Sequence, residues 1–116
     1  MRNAPVLAIN GVTNSGTTPI NSDPIPMSQA WGASATAALT STLAGTLKMQ
    51  VSCDPPKTPA ASIVWQDLPN ATSGAISAGG NGLIPKNDMS YQWLRLVFTP
   101  SAGNGKVTCN ANVSGI

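Results

Sequence analysis

Alternation of apolar and polar positions dominates the second half of the chain. In SYQWLRLVFTP (residues 90–100), Leu94, Leu96 and Phe98 take one phase, and Tyr91, Trp93, Arg95 and Val97 the other. A period of two is what a strand with one face in a core requires. KVTCNANVS (106–114) repeats it, with Val107, Cys109, Ala111 and Val113 set against Thr108, Asn110, Asn112 and Ser114. Gly103-Asn104-Gly105 between the two segments reads as the turn of a hairpin. In TLKMQVSC (46–53), Leu47, Met49, Val51 and Cys53 alternate with Lys48, Gln50 and Ser52, and Asp54-Pro55-Pro56 ends the segment with turn chemistry. WGASATAALTSTL (31–43) is balanced between two tendencies: its alanines favour helix, its Ser and Thr content favours sheet. Ala33, Ala35, Ala37 and Leu39 alternate with Ser34, Thr36 and Ala38, which assigns a strand. Ile63-Val64-Trp65 predicts a short strand, Pro69-Asn70 opens a loop, and the glycine-rich stretch 74–82 has room for one more short strand at 75–78. Short strands at such spacing, with no helical period and no internal repeat, predict an all-β fold: an antiparallel β-sandwich of about eight strands.

Residues 1–30 break this rhythm. Pro5, Pro19, Pro24 and Pro26 remove backbone donors and confine their predecessors to extended conformations. The reading is a short strand at residues 6–9, a turn at Asn10-Gly11, and then an extended N-terminal arm. The chain thus divides into an arm (1–30) and a sandwich domain (31–116).

Composition changes the picture most through what is missing. Only 9% of the 116 residues are charged, against about 25% in an average domain. The chain has no His, and its four acids, Asp23, Asp54, Asp67 and Asp88, are all Asp. Without His or Glu, most general acid–base chemistry and most transition-metal sites are excluded, so neither an enzyme nor a cofactor is expected. A net charge of +2 without Lys/Arg clusters argues against nucleic acid as a partner. The apolar run at residues 6–9 falls short of the roughly 7–15 residues of a secretory signal, and no run approaches the ~20 that span a bilayer. A soluble product of a cytoplasm, with no membrane partner, is expected. The core must be assembled from small residues, since aromatics are scarce, and a partner subunit is a natural source of extra stability.

The candidate chemistry is sparse. Cys53 and Cys109 share the apolar phase of their segments, which leaves two readings: a disulfide, or two buried free thiols. Cytoplasmic synthesis favours the thiols. The four Asp stand beside turn residues or strand ends and are spread over the chain, unlike the ligands of a calcium loop. Trp93 and Arg95, two apart on one strand face, could stack as a platform or simply pack. Trp31 and Trp65 read as core or interface anchors.

One pattern is familiar. Gly45-Thr46-Leu47, Ser52-Cys53-Asp54, Trp65-Gln66-Asp67, Tyr91-Gln92-Trp93-Leu94-Arg95, Thr99-Pro100-Ser101 and Gly103-Asn104-Gly105, spanning about residues 31–114, resemble a recurrent small jelly-roll domain of bacteriophage virions. A similar strand pattern occurs in discoidin-like carbohydrate-binding domains, but here Asp54 is followed by Pro-Pro and the Trp comes eleven residues later. The resemblance implies a jelly-roll-like virion protein on the capsid surface. As a decoration (cement) protein it would bridge the major capsid protein and copies of itself, as a trimer or another symmetric oligomer. The alternatives are a vertex (penton) or spike component, or a carbohydrate-binding module contacting host glycans. For such contacts the arm is the expected interface, with Val6, Leu7, Ile9, Ile20 and Ile25, together with Trp31.

Overall fold

A computed structural model describes residues 2–15, 18–27, 30–55, 57–88 and 91–115. Its strands, in chain order, are β1 (Arg2–Ser15), β2 (Ile20–Asn21), β3 (Ile25–Pro26), β4 (Ala30–Leu39), β5 (Ala44–Ser52), β6 (Gln66–Ile76), β7 (Asn81–Asp88), β8 (Trp93–Ala102) and β9 (Asn104–Gly115). Among the described residues one 3-10 turn, Ala60–Ser62, precedes β6. All pairings are antiparallel and form two sheets. One has the order β1-β9-β4-β7; the other runs β2-β8-β5-β6, with β3 also on β8. Counting β2 and β3 as one interrupted strand, this is an eight-stranded sandwich with the first and last long strands adjacent, the winding of a jelly roll.

The period-two segments face as their sequences require. Ala33, Ala35, Ala37 and Leu39 of β4, Leu47, Met49 and Val51 of β5, Leu94, Leu96 and Phe98 of β8, and Val107, Cys109, Ala111 and Val113 of β9 all lie in one buried cluster. Five of its members are alanines, and Phe98 is its largest side chain. Gly45 explains how so large a ring fits. A Cβ at residue 45 would stand 2.6 Å from Phe98 Cζ and still closer to the Thr99 carbonyl, so only a glycine leaves room for the phenyl ring. Gly45→Ala is expected to lower stability by about 1–3 kcal/mol through overpacking, read as a lower urea midpoint with an unchanged slope.

Three expectations are corrected. The N-terminal segment is not an arm: it is laid into both sheets. β1 runs along β9 from Arg2 to Ser15. Asn10-Gly11 does not turn the chain back; Gly11, at φ 58°, forms part of a register shift and donates its N–H to Thr108 Oγ1 at 3.2 Å. Farther on, the prolines cut the pairing to β8 into two short pieces, and Ser22 fills the gap. Its backbone N–H reaches the Leu96 carbonyl, and its Oγ accepts from the Leu96 N–H, both at 2.8 Å. A proline-rich segment can therefore line a sheet edge, where missing donors cost little.

The second correction concerns Gly103-Asn104-Gly105. β8 and β9 belong to different sheets, so the segment is an arch between them and not a hairpin. Gly103 takes φ 78° against the Thr42 carbonyl, where no side chain would fit. Thr42 N–H reaches the Asn104 carbonyl at 3.2 Å, and Thr40 N–H the Lys106 carbonyl at 3.0 Å. The third correction lies between residues 63 and 88. Residues 63–65 precede a longer strand, β6, which continues through Pro69 with Asn70 at φ 65° and ends at Ile76. β7 begins at the end of the glycine-rich stretch and runs through residues 83–88, which were assigned no strand.

Candidate interaction surfaces

The sandwich presents two broad outer faces of opposite character. On the four-stranded sheet, register aligns Leu7 with Asn110, Asn110 with Thr36, and Thr36 with Leu83. This row crosses all four strands, with an exposed leucine at each end: Leu7 is 53% and Leu83 57% exposed. The neighbouring rows continue with Thr108, Ala38 and Asn81 on one side and Asn112 and Ser34 on the other. None of these residues is charged. A shallow groove of about 490 Å³ runs beside the row, lined by Thr36, Ala38, Asn81, Leu83, Thr108 and Asn110. Among the described side chains of this sheet, Lys106 at the start of β9 is the one charge.

The opposite face gathers charge and aromatic rings. Arg95 of β8, Gln50 of β5 and Asp67 of β6 are paired across three adjacent strands. Arg95 Nε donates to Gln50 Oε1 at 2.7 Å, and Gln50 Nε2 donates to Asp67 Oδ1 at 2.8 Å. Lys48 Nζ lies 3.2 Å from Asp67 Oδ1. The guanidinium carbon of Arg95 stands 4.6 Å from the centre of the Trp65 ring. Hydrogen bonding from Gln50, then from Lys48, holds the Asp67 carboxyl below its usual pKa, and burial lowers that of Arg95, which stays charged at any ordinary pH. The stacking partner of Arg95 is Trp65 and not Trp93. Residues two apart on a strand stand side by side about 6.6 Å apart, whereas Trp65 approaches from another element.

The expected interface residues separate. Leu7 and Trp31 are exposed, Trp31 at 36%. Val6 and Ile20 are half-buried and packed against the core. Ile9 and Ile25, at 3% and 6%, lie inside it and offer nothing to a partner, because the segment they belong to is part of the sandwich. Thr36, Leu83 and Asn110 went unmarked: each is unremarkable alone, and only register places them in one row. Gln50 and Asp67 were likewise missed as partners of Arg95.

Both cysteines are free. Cys109 is buried and Cys53 exposed, since β5 ends at Ser52 and the alternation ends with it. Burial pushes the Cys109 thiol up to about 12 from 9.0. One thiol is therefore expected to react rapidly with an aromatic disulfide reagent in the native protein, and two after denaturation. Because the folded-state pKa is raised, the Cys109 contribution to stability is complete below pH 9.0 and declines as pH rises toward about 12; Cys109→Ala should flatten that alkaline decline in urea titrations. Among the described residues, no three of His, Cys, Asp and Glu come together as a metal site.

No family model matches the sequence, and no curated protein matches it. The fold, however, is shared with known structures. The PBSX exported protein XepA superposes with a TM-score of 0.74 at 12% identity, over 97% of this chain and 37% of its own. The SPBc2 prophage-derived protein YomS gives 0.57 at 8% identity, over 97% of this chain and 95% of its own. The VP2 subviral particle of infectious bursal disease virus gives 0.58 at 9%, over 98% and 32%. The chain thus spans about a third of XepA and of VP2, and nearly all of YomS. At such identities the likeness is one of fold.

Proposed function

We propose that this is a non-enzymatic structural protein of a bacteriophage virion, a capsid decoration (cement) subunit that docks on the major capsid protein and on copies of itself through the outer face of its four-stranded sheet. The observation that carries this is the uncharged row Leu7, Asn110, Thr36 and Leu83. The named residues of this row and of the rows beside it carry no charge, so covering them sheds water at little cost and buries no unpaired ion. The sheet edges are poor alternatives. β1 has two register shifts, β7 contains Pro85, β6 contains Pro69, and β2 and β3 are two residues each, all features that discourage strand addition. Partners are therefore met face-on. The fold shared with two prophage proteins and a viral coat protein supports the same reading.

Mass spectrometry of purified particles, followed by a density map, tests it. Many copies at fixed stoichiometry, with the four-stranded sheet turned toward neighbouring coat subunits, are expected. Copies confined to one vertex would assign a vertex or spike role, and absence from particles would overturn the virion reading.

A further inference from the structure

The opposite face holds a second contact of different chemistry. We infer that Arg95, fixed by Trp65 and Gln50, is a pre-organised anchor for a carboxylate side chain of a neighbouring coat subunit. This rests on the virion reading above and supplies what bridging needs, a second face with its own partner.

The geometry is that of a restrained guanidinium. One flat side stacks on an indole at 4.6 Å, and Nε is spent on Gln50 at 2.7 Å. Asp67, the carboxylate in the row, is engaged by Gln50 and Lys48. Among the described residues, no hydrogen bond or ion pair involves the terminal Nη atoms, so the fork that matches a carboxylate bidentately is left open. Its charge is also uncompensated, since Lys48 already balances Asp67. Fixing a long side chain in advance removes the ordering cost that weakens most surface ion pairs. Trp65 and Trp93, both half-buried, flank it, and Trp and Arg are the residue types that dominate binding energy at protein interfaces. In a chain with so few charges, a three-strand network that orients one guanidinium is best accounted for by what that guanidinium meets.

The test is rebinding of the purified chain to particles assembled without it, at two salt concentrations. Binding should weaken as salt rises. Arg95→Lys keeps the charge but loses the fork, and should weaken binding at least about tenfold. Trp65→Phe, which keeps an aromatic ring at that position, should weaken it less. A map of the rebound particle should place an Asp or Glu of a neighbour within hydrogen-bond reach of Arg95. Failure of the wild-type chain to bind overturns the virion reading itself. Wild-type binding that is matched by Arg95→Lys and indifferent to salt overturns the carboxylate anchor alone. Release of the bound chain by 3′-sialyllactose, but not by lactose, would show that the fork is a glycan site and overturn a protein occupant. Circular dichroism of each variant checks the fold.

Discussion

Phe98→Ala is expected to destabilise the domain by about 3–5 kcal/mol, the range for emptying a buried aromatic site. Phe98 is fully buried, pairs with Leu47 on one side and Ile20 on the other, and fills the space that Gly45 leaves open. Its neighbourhood relaxes only in part. The opposing sheet contributes Ala33, Ala35, Ala37 and Ala111, side chains too short to move inward, beside the larger Ile9, Leu39, Ile84 and Val107, so part of the cavity persists and adds to the lost transfer energy. Domains of this size are stable by about 5–15 kcal/mol, and the variant should be close to the limit of folding at ambient temperature. Urea unfolding measures it; a loss below about 1.5 kcal/mol would mean that Phe98 is not the central packing element. A second substitution gives an internal control. In Phe98→Ala, Gly45→Ala should lose the part of its penalty that the ring imposes and keep the part set by the Thr99 carbonyl, which still crowds a Cβ at residue 45.

That core was largely legible from the sequence, and the reason is physical. A strand with one buried face must alternate, so Leu94, Leu96 and Phe98, or Val107, Cys109 and Ala111, declare their orientation without any knowledge of their partners. Cys53 shows the limit of the rule: the phase continues in the sequence, but β5 ends one residue earlier. Pairing was less legible because it depends on distant contacts. Pro5, Pro24 and Pro26 forbid donors locally, and a segment rich in them reads as detached; Ser22, bonded to Leu96 on both its backbone and its side chain, is what attaches it. Gly103 marked a turn, but its reading as a hairpin failed, because a glycine at positive φ serves equally in a turn within one sheet and in an arch between two. The surfaces were least legible of all. Leu7, Thr36, Leu83 and Asn110 come from four separated segments, and Arg95, Gln50 and Asp67 from three, so each group exists only once register is fixed. The scarcity of charge was visible at once, but its distribution belongs to the fold: the row of Leu7, Asn110, Thr36 and Leu83 is uncharged on one sheet, and Arg95, Asp67 and Lys48 are networked on the other.

Thr36→Lys should abolish incorporation into particles while leaving the isolated protein folded. Thr36 lies mid-row on the bare face, between Asn110 and Leu83, with its side chain exposed. A lysine there meets only water in the free protein, and the loss of a β-branched residue from a central strand costs at most about 1 kcal/mol. When the face is covered, the same ammonium must either be stripped of water without a partner or hold the two surfaces apart. In the rows around it, Ser34, Asn81, Thr108 and Asn112 offer dipoles and Ala38 only a methyl group, and none carries an opposite charge. An uncompensated buried charge weakens association by several kcal/mol, and each 1.4 kcal/mol is about a factor of ten in affinity, so incorporation should fall by more than a hundredfold. Ala61→Lys, in the exposed 3-10 turn before β6, adds the same charge away from that face and should leave incorporation unchanged, which separates a local clash from a change in net charge. Equal incorporation of both variants would show that the four-stranded sheet faces solvent in the particle. The docking role would then pass to the face that holds Arg95, and the two substitutions read together with Arg95→Lys decide which side of the sandwich is turned inward.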